Sequence, residues 1–278
     1  MAFPMRRDQA TDDVPLAAGP PHARHVEILG VRIANLHTIE AVAHMQQLIW
    51  SAEHHARALY IVNAHTLNLA CDVPEFREVL NGGDAVFGDG TGVRWAARWQ
   101  GVKMIDNLVG TDLMPFFFVN TMERRYRYFL LGARGDVVER AAEYLVRQFP
   151  GLCVVGYHHG HYDHEEHDGV LERINAARPE VLLVGMGNPI QECWIHDNRP
   201  RLTKVRLAVG VGGLFDHWGG VLKRAPRWVR RNGFEWAQLM LQQPHKWRRY
   251  LVGNPKFLVR CARDLQRRRH HDGHASAQ

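Results

Sequence analysis

Residues 180–213 read EVLLVGMGNPIQECWIHDNRPRLTKVRLAVGVGG. Two apolar runs in this segment, ending at Gly187 and Gly212, have the length and composition of buried strands. Each run ends in glycine and small residues that precede the start of a helix. Strands that are apolar along their whole length are typical of a parallel sheet covered by helices on both faces.

The same alternation of strand and helix continues through most of the chain. The sequence predicts five more strands: one near Val26, one ending at Asn63, one before Asp89, one ending at Gly132 and one ending at Tyr157. The helical patterns between strands include Thr38 to Ala56, Pro74 to Leu80, Thr111 to Met122, Val137 to Phe149, and Gly169 to Ala177. We therefore expect an α/β fold with a mostly parallel sheet.

Glycine and small polar residues follow most of the predicted strands. These segments are NAHTLN, GDGTG, GARGD, GMGNPIQE and GVGGLFD. Because carboxyl ends of parallel strands meet at one edge of a sheet, their backbone N–H groups converge on one crevice, which suits phosphate. The sequence thus predicts a nucleotide ligand. It lacks the full GxGxxG spacing of nicotinamide and flavin enzymes, and it has no GxxxxGK[ST] loop.

Asp89 is the acidic residue that stands out at these strand ends. It lies between Gly88 and Gly90, so little side-chain bulk shields it from the crevice. One interpretation is a general base, because a carboxylate at this place can take a proton from an attacking hydroxyl. The other is a turn aspartate that caps the helix beginning near Thr91.

Histidines are concentrated in the segment HHGHYDHEEH, residues 158–167. A metal site is one interpretation, but neither HExxH nor HxxEH spacing is present. A surface loop leading into a helix is the other. We predict no metal site, while His158 and His159 follow a strand directly and are candidates to line the crevice.

The charge of the 278-residue chain is unevenly distributed. The formal net charge is +6, yet the residues from Lys223 onward carry 14 Lys and Arg against 3 Asp and Glu. The remainder carries 21 basic and 26 acidic residues. The basic part also contains Trp228, Trp236, Trp247, Tyr250 and Phe257. Cations interleaved with aromatic residues predict contact with an anionic membrane surface. Nucleic acid and a merely solvated tail are the alternatives, although no nucleic-acid motif accompanies the segment.

Other features of the sequence indicate compartment and domain organisation. No apolar run approaches the roughly 18–20 residues needed to cross a bilayer, and acids interrupt the N-terminus where a secretory signal would be apolar. The four cysteines are far apart, which favours reduced thiols and a cytoplasmic location. We expect a disordered lead-in at residues 1–24, the α/β domain at 25–225, a basic helical appendage at 226–270 and a disordered tail at 271–278.

Seven short motifs, taken in order, resemble the WecG/TagA/CpsF group of bacterial glycosyltransferases, glycosyltransferase family 26. They are Asn63, Asp89 to Gly92, Gly110 to Leu113, Pro189 to Glu192, Val211 to Asp216, Arg224 to Pro226, and Glu235-Trp236. The resemblance extends from about Val26 to Tyr250. It implies a Rossmann-like enzyme that moves a sugar from a UDP-sugar to a polyprenyl-diphosphate-linked saccharide at the inner face of the cytoplasmic membrane. It also implies inversion at the anomeric carbon and no cofactor or metal.

The reaction hypothesis is a direct displacement in which Asp89 is the catalytic base. Asn63 and Gln191 are uncharged, so we assign them contacts to sugar hydroxyls. The donor would be of the N-acetylmannosamine type, with UDP-glucose or a UDP-uronate as alternatives. A non-catalytic nucleic-acid-binding protein is the alternative of another class. The predicted substrate-binding residues are Gly187, Glu192, Gly212, Gly213, Thr111 and Asp112, and the predicted cations for diphosphate or membrane are Arg224, Arg248 and Arg249.

Two points stay open in this set. Glu192 is equally well interpreted as an acid that stabilises the start of a helix. The chain also has Asn107, Leu239 and His245 where family members often carry arginine. The sequence does not say which cations replace them.

Overall fold

The structure is a computed structural model that describes residues 25–52, 55–226, 229 and 235–275. The strands are β1 His25–Ile28, β2 Val31–Ala34, β3 Arg57–Val62, β4 Ala85–Gly88, β5 Arg127–Gly132, β6 Cys153–His158, β7 Val181–Gly185 and β8 Leu207–Gly210. Within these residues they form one sheet in the order β1-β2-β4-β3-β8-β7-β5-β6. Only the β1–β2 pair of this sheet is antiparallel. The predicted α/β class with a mostly parallel sheet is confirmed.

The edge of the sheet differs from the prediction. The sequence predicts one strand near Val26, whereas β1 and β2 form a hairpin. Leu29 and Gly30 connect them with φ of 53° and 79°. Two successive residues with positive φ match the right-handed twist of the flanking strands, which is why the chain reverses here.

The helices among the described residues follow the strands as expected. They are α1 Thr38–Trp50, α2 Ala64–Asp72, α3 Pro74–Asn81, α4 Thr91–Trp99, α5 Gly110–Asn120, α6 Gly135–Gln148, α7 His167–Ala177, α8 Ile190–Asn198, α9 Leu214–Trp218, α10 Glu235–Gln242, α11 Trp247–Leu251 and α12 Gly253–Ala275. Helix α1 ends six residues before the predicted Ala56. Strands β7 and β8 end at Gly185 and Gly210, two residues before the predicted Gly187 and Gly212.

Both faces of the sheet are buried. In β3, Tyr60 and Val62 pack into one hydrophobic core, while Leu59 and Ile61 pack into the other. Helices therefore cover both faces, because the alternating side chains of a central strand bury apolar surface in two opposite directions. The cleft described below lies at one edge of this sheet, between the two hydrophobic cores.

The last helix of the chain packs on the α/β domain. Phe257 and Cys261 of α12 are buried in the core that also contains residues of α2 and α4. Arg260 donates a hydrogen bond of 2.8 Å to the backbone carbonyl of Asn68 and pairs with Asp72. The basic segment is therefore helical, as predicted, and part of its charge is used in contacts with the domain.

Some predictions fall outside the described residues. These are the disordered lead-in at residues 1–24, Trp228 and the final residues 276–278. Helix α12 extends to Ala275, so residues 271–275 are helical where the sequence predicts a disordered tail. The predicted boundary near residue 270 therefore lies within this helix.

Candidate active site

A cleft of about 950 Å³ opens at the carboxyl ends of the central strands. The loops after β3, β4, β7 and β8 line it, and residues of α10, α11 and the start of α12 close its other side. Open α/β sheets bind their ligands at this edge. The volume suits a nucleotide-sized ligand.

Asp89 lines the cleft directly after β4. Its backbone N–H donates to the carbonyl of Val62 at 2.8 Å, which ties the loop to the end of β3. The next residue, Gly90, has φ of 92° and donates its N–H to Asn107 Oδ1 at 2.8 Å. Gly90, not Asp89, is the N-cap residue of α4. Asn107 thus has a structural role in this chain, because it fixes the loop that carries Asp89.

Asn63 lines the cleft from the end of β3 and is the N-cap residue of α2. Its Oδ1 accepts hydrogen bonds from the backbone N–H groups of His65, at 3.0 Å, and Thr66, at 3.3 Å. Arg249 of α11 also donates to this oxygen at 3.4 Å. The C-terminal segment therefore reaches the strand ends at Asn63.

Gln191 joins two glycine loops that line the cleft. Its Oε1 accepts from the backbone N–H of Gly187 at 3.3 Å and from that of Gly212 at 2.9 Å. Gly210 makes room for it, because a Cβ there would lie 3.0 Å from Gln191 Nε2. The backbone N–H groups of these two predicted substrate-binding glycines are therefore already paired with a side chain. Gly213 lines the cleft beside them.

Glu192 does not line the cleft; it is fully buried behind Gln191. Its Oε1 accepts from Gln191 Nε2 at 2.7 Å and from Asn188 Nδ2 at 2.5 Å, while Oε2 has no hydrogen-bond partner among the residues that the structure describes. Burial raises the pKa of this carboxyl to about 7, although the hydrogen bonds from Gln191 and Asn188 oppose that change. The placement favours the structural interpretation of Glu192 over direct substrate contact.

Basic side chains converge on the cleft from the C-terminal segment. Lys246 and Arg249 both line it, together with His65 from the start of α2. Burial and the nearby charges of Arg249 and Lys246 lower the pKa of His65 to about 4, so His65 is neutral at pH 7. Burial, and secondarily Arg249, also lowers the pKa of Lys246. Burial is the main cause of both shifts, and the neighbouring cations add to it because Lys246 and Arg249 lie close to each other in the cleft.

The other predicted cations lie elsewhere. Arg224 forms a 2.5 Å ion pair with Asp112 at the start of α5, and neither residue lines the cleft, whereas Thr111 does. Arg248 places its guanidinium 5.5 Å from the centre of the Trp247 indole, also outside the cleft. Of the three predicted arginines, only Arg249 is in the cleft.

Several cleft residues were not predicted. Lys246 belongs to the basic and aromatic stretch that the sequence highlights, but its neighbours Arg248 and Arg249 are equally basic. His65 follows Asn63 at a strand end, which is a usable signal. Asp216 and Arg134 also line the cleft.

The histidine-rich segment contributes little to the cleft. His161 lines it, whereas His158 and His159 pack on each other with ring centres 4.4 Å apart and lie outside it. Across the part of the chain that the structure describes, no cluster of three or more His, Cys, Asp or Glu side chains is arranged to hold a metal ion. In the same residues, no helix combines the length and apolar character of a membrane span.

The family profile and the relatives that match this chain agree with one another. The profile of the Glycosyl transferase WecG/TagA/CpsF family matches residues 26–271. A protein of Bacillus spizizenii (strain ATCC 23059 / NRRL B-14472 / W23) is 32% identical over 186 residues, 67% of this chain and 71% of the relative. One of Staphylococcus aureus (strain MW2) is 31% identical over 244 residues, 86% of this chain and 92% of the relative. Both relatives are named N-acetylglucosaminyldiphosphoundecaprenol N-acetyl-beta-D-mannosaminyltransferase.

Proposed function

The chain belongs to the WecG/TagA/CpsF family of glycosyltransferases, and we propose that it transfers a hexosyl group of the N-acetylmannosamine type from a UDP-sugar to a polyprenyl-diphosphate-linked saccharide. The family assigns it as an enzyme rather than as the non-catalytic nucleic-acid-binding alternative. The transferred sugar and the acceptor follow the names of the two relatives, which specify a mannosaminyl group and a diphosphoundecaprenol acceptor, whereas UDP as the carrier follows the family resemblance described above.

One observation carries the proposal: carboxylates and cations line the same cleft. Asp89 comes from the end of β4, whereas Lys246 and Arg249 come from the C-terminal segment. Glycosyl transfer to a hydroxyl needs a base for the incoming oxygen and positive charge for the departing diphosphate. The cleft supplies both kinds of group from different parts of the chain.

In the proposed reaction, Asp89 accepts the proton of the acceptor hydroxyl as its oxygen forms a bond to the anomeric carbon. The bond from that carbon to the diphosphate oxygen breaks, and UDP leaves with the electron pair. A positioned base typically contributes about 10²–10⁴-fold to the rate. The relatives' names specify a β-linked product, so an α-linked donor would be inverted by this single displacement.

Lys246 and Arg249 would stabilise the charge that develops on the leaving UDP. Gln191 has another role here: it holds the glycine loops after β7 and β8 at a fixed separation, so that the cleft is preformed. Asn63, held between α2 and Arg249, would contact sugar hydroxyls. No step in this reaction requires a metal.

The acceptor is a lipid, so the enzyme would act as a peripheral protein on the inner face of the cytoplasmic membrane. Exposed Arg248 and Trp247 at the start of α11 suit an anionic headgroup layer. UDP-glucose and a UDP-uronate remain the alternative donors, because Leu239 lines the cleft where family members often carry arginine.

The test is a transfer assay on the purified full chain. The acceptor is a short-chain polyprenyl diphosphate bearing N-acetylglucosamine, and the donors are UDP-N-acetylmannosamine, UDP-glucose and a UDP-uronate, each supplied separately. We expect transfer from UDP-N-acetylmannosamine to be at least ten times faster than transfer from either other donor. A tenfold difference in rate corresponds to about 1.4 kcal/mol in the activation barrier. Faster transfer from another donor would correct the sugar, and no transfer from any donor would refute the activity.

A further inference from the structure

The mouth of the cleft is apolar. Four side chains line the cleft and are also exposed, so they lie at its opening: Trp95 (50%), Ile190 (60%), Trp236 (37%) and Leu251 (52%). They come from four helices, α4, α8, α10 and α11. A pocket for a water-soluble ligand has no need of apolar groups on its outer edge, and contiguous exposed apolar surface marks an interaction site.

Basic side chains line the opening and the cleft behind it. Arg134 and His161 are exposed and line the same cleft. Among the residues that the structure describes, none of the exposed side chains lining the cleft is acidic; Asp89 and Asp216 are both partly buried. Arg134 forms a 3.7 Å ion pair with Asp136, which lies outside the cleft. Apolar groups at the opening, with Lys246 and Arg249 behind them in the cleft, complement a surface that is apolar inside and anionic outside.

Helix α4 shows that this feature belongs to the α/β domain and not only to the C-terminal segment. Val93, Ala96 and Ala97 are buried in the core. The opposite side of the helix exposes two Arg-Trp pairs one turn apart: Arg94, Trp95, Arg98 and Trp99. Trp95 lines the cleft, and Trp99 continues the surface away from it.

We propose that the cleft opens directly onto an anionic lipid bilayer, and that Trp95 and Ile190 of the α/β domain insert at its headgroup boundary. This inference rests on the proposed function and deepens it, because the acceptor is anchored in the bilayer by its polyprenyl chain. With the mouth at headgroup level, the acceptor's sugar enters the cleft while its lipid stays in the membrane. The α/β domain and the C-terminal segment then contact the bilayer together.

The test measures binding of the full chain to vesicles of phosphatidylcholine mixed with phosphatidylglycerol, by flotation. We expect the double variant Trp95→Gln/Ile190→Gln to bind about tenfold or more weakly, from the lost burial of two apolar side chains. The matched control is Trp50→Gln, since Trp50 is 55% exposed on α1, which packs on the opposite face of the sheet. We expect the control to bind as the unmodified protein does.

A second variant separates insertion from general contact. Trp95→Phe keeps an apolar side chain, so we expect binding close to that of the unmodified chain. It should lose part of the tryptophan quenching caused by lipids brominated on their acyl chains. Flotation of the double variant equal to that of the control, or unchanged quenching in Trp95→Phe, overturns the inference.

The inference and the proposed function fail in different ways. Vesicle binding that does not depend on Trp95 and Ile190, in a protein that still transfers sugar to the lipid acceptor, refutes only the inference. Vesicle binding that depends on Trp95 and Ile190 supports the inference even if no UDP-sugar reacts. In that case only the assigned activity is wrong. Equal melting temperatures for all variants will show that the fold is retained.

Discussion

Replacing Glu192 with glutamine should change how the stability of the protein depends on pH. Glu192 is fully buried, and burial raises its carboxyl pKa from 4.5 to about 7. In the unfolded chain this carboxyl ionises near its ordinary value. Between these two pH values the unfolded state therefore holds fewer protons at this site than the folded state does, so stability falls as the pH rises.

The size of the effect follows from the two pKa values. Each tenfold difference in proton affinity is worth about 1.4 kcal/mol, so ionising the buried Glu192 costs about 3 kcal/mol of unfolding free energy above pH 7. About 2–3 kcal/mol of this is lost between pH 5 and pH 8. Glutamine has the shape of the protonated acid and does not titrate, so Glu192→Gln escapes the loss.

Urea denaturation at pH 5 and pH 8 measures this difference. The unmodified chain should lose about 2–3 kcal/mol more than Glu192→Gln between the two pH values. Every other titrating group, including His65, is present in both proteins and cancels. Glu75→Gln, on the exposed surface of α3, removes the same formal charge and serves as the control. Parallel pH profiles for Glu192→Gln and the unmodified chain would refute the reasoning.

Four further outcomes are expected. Asp89→Asn should slow transfer by about 10²-fold or more while UDP binding stays within about threefold, as measured by calorimetry; near-normal turnover would remove Asp89 from the mechanism. Arg249→Ala should slow transfer to a soluble acceptor analogue by about tenfold or more, whereas Arg248→Ala, outside the cleft, should stay within about twofold; equal effects would contradict the assignment. Phe257→Ala should destabilise the fold by about 3–5 kcal/mol in urea denaturation, whereas exposed Val259→Ala should cost less than about 1 kcal/mol. Transfer should survive EDTA, and a loss restored by Mn²⁺ or Mg²⁺ would disprove the metal-independent reaction.

The sheet and much of its ligand edge could be predicted from the sequence. Apolar runs end at Asn63 and before Asp89, and a parallel sheet gathers such ends at one place whatever the details of packing. Both residues accordingly line the cleft. The hairpin at Leu29 and Gly30 was missed because leucine carries no signal for a positive φ.

The distances between strand-end loops could not be predicted. Gln191 accepts hydrogen bonds from the backbone N–H groups of Gly187 and Gly212, which are 4 and 21 residues away in sequence. This arrangement depends on how β7 and β8 are placed in the sheet. The burial of Glu192 follows from the same arrangement. A sequence pattern shows that a helix begins there but not which of its first side chains faces inward.

The C-terminal cations show the same limit. Arg248 and Arg249 are adjacent and chemically identical, yet only Arg249 lines the cleft, because successive residues of a helix point about 100° apart. Choosing between them requires the orientation of α11 on the domain. The composition of the sequence identifies the basic C-terminal segment, whereas the packing of α11 on the domain determines that Arg249 lines the cleft.

The return of α12 to the core also has a consequence for biosynthesis. Arg260 binds Asn68 across 192 residues of sequence, and Phe257 fills a core that α2 and α4 help to form. The chain is made from its N-terminus at about 5–20 residues per second. Helix α12 is therefore synthesised roughly 10–40 s after α2, on which it packs. During that interval the apolar surface of α2 is open to other chains. We therefore expect nascent or prematurely terminated chains to be the species that aggregate and that chaperones bind.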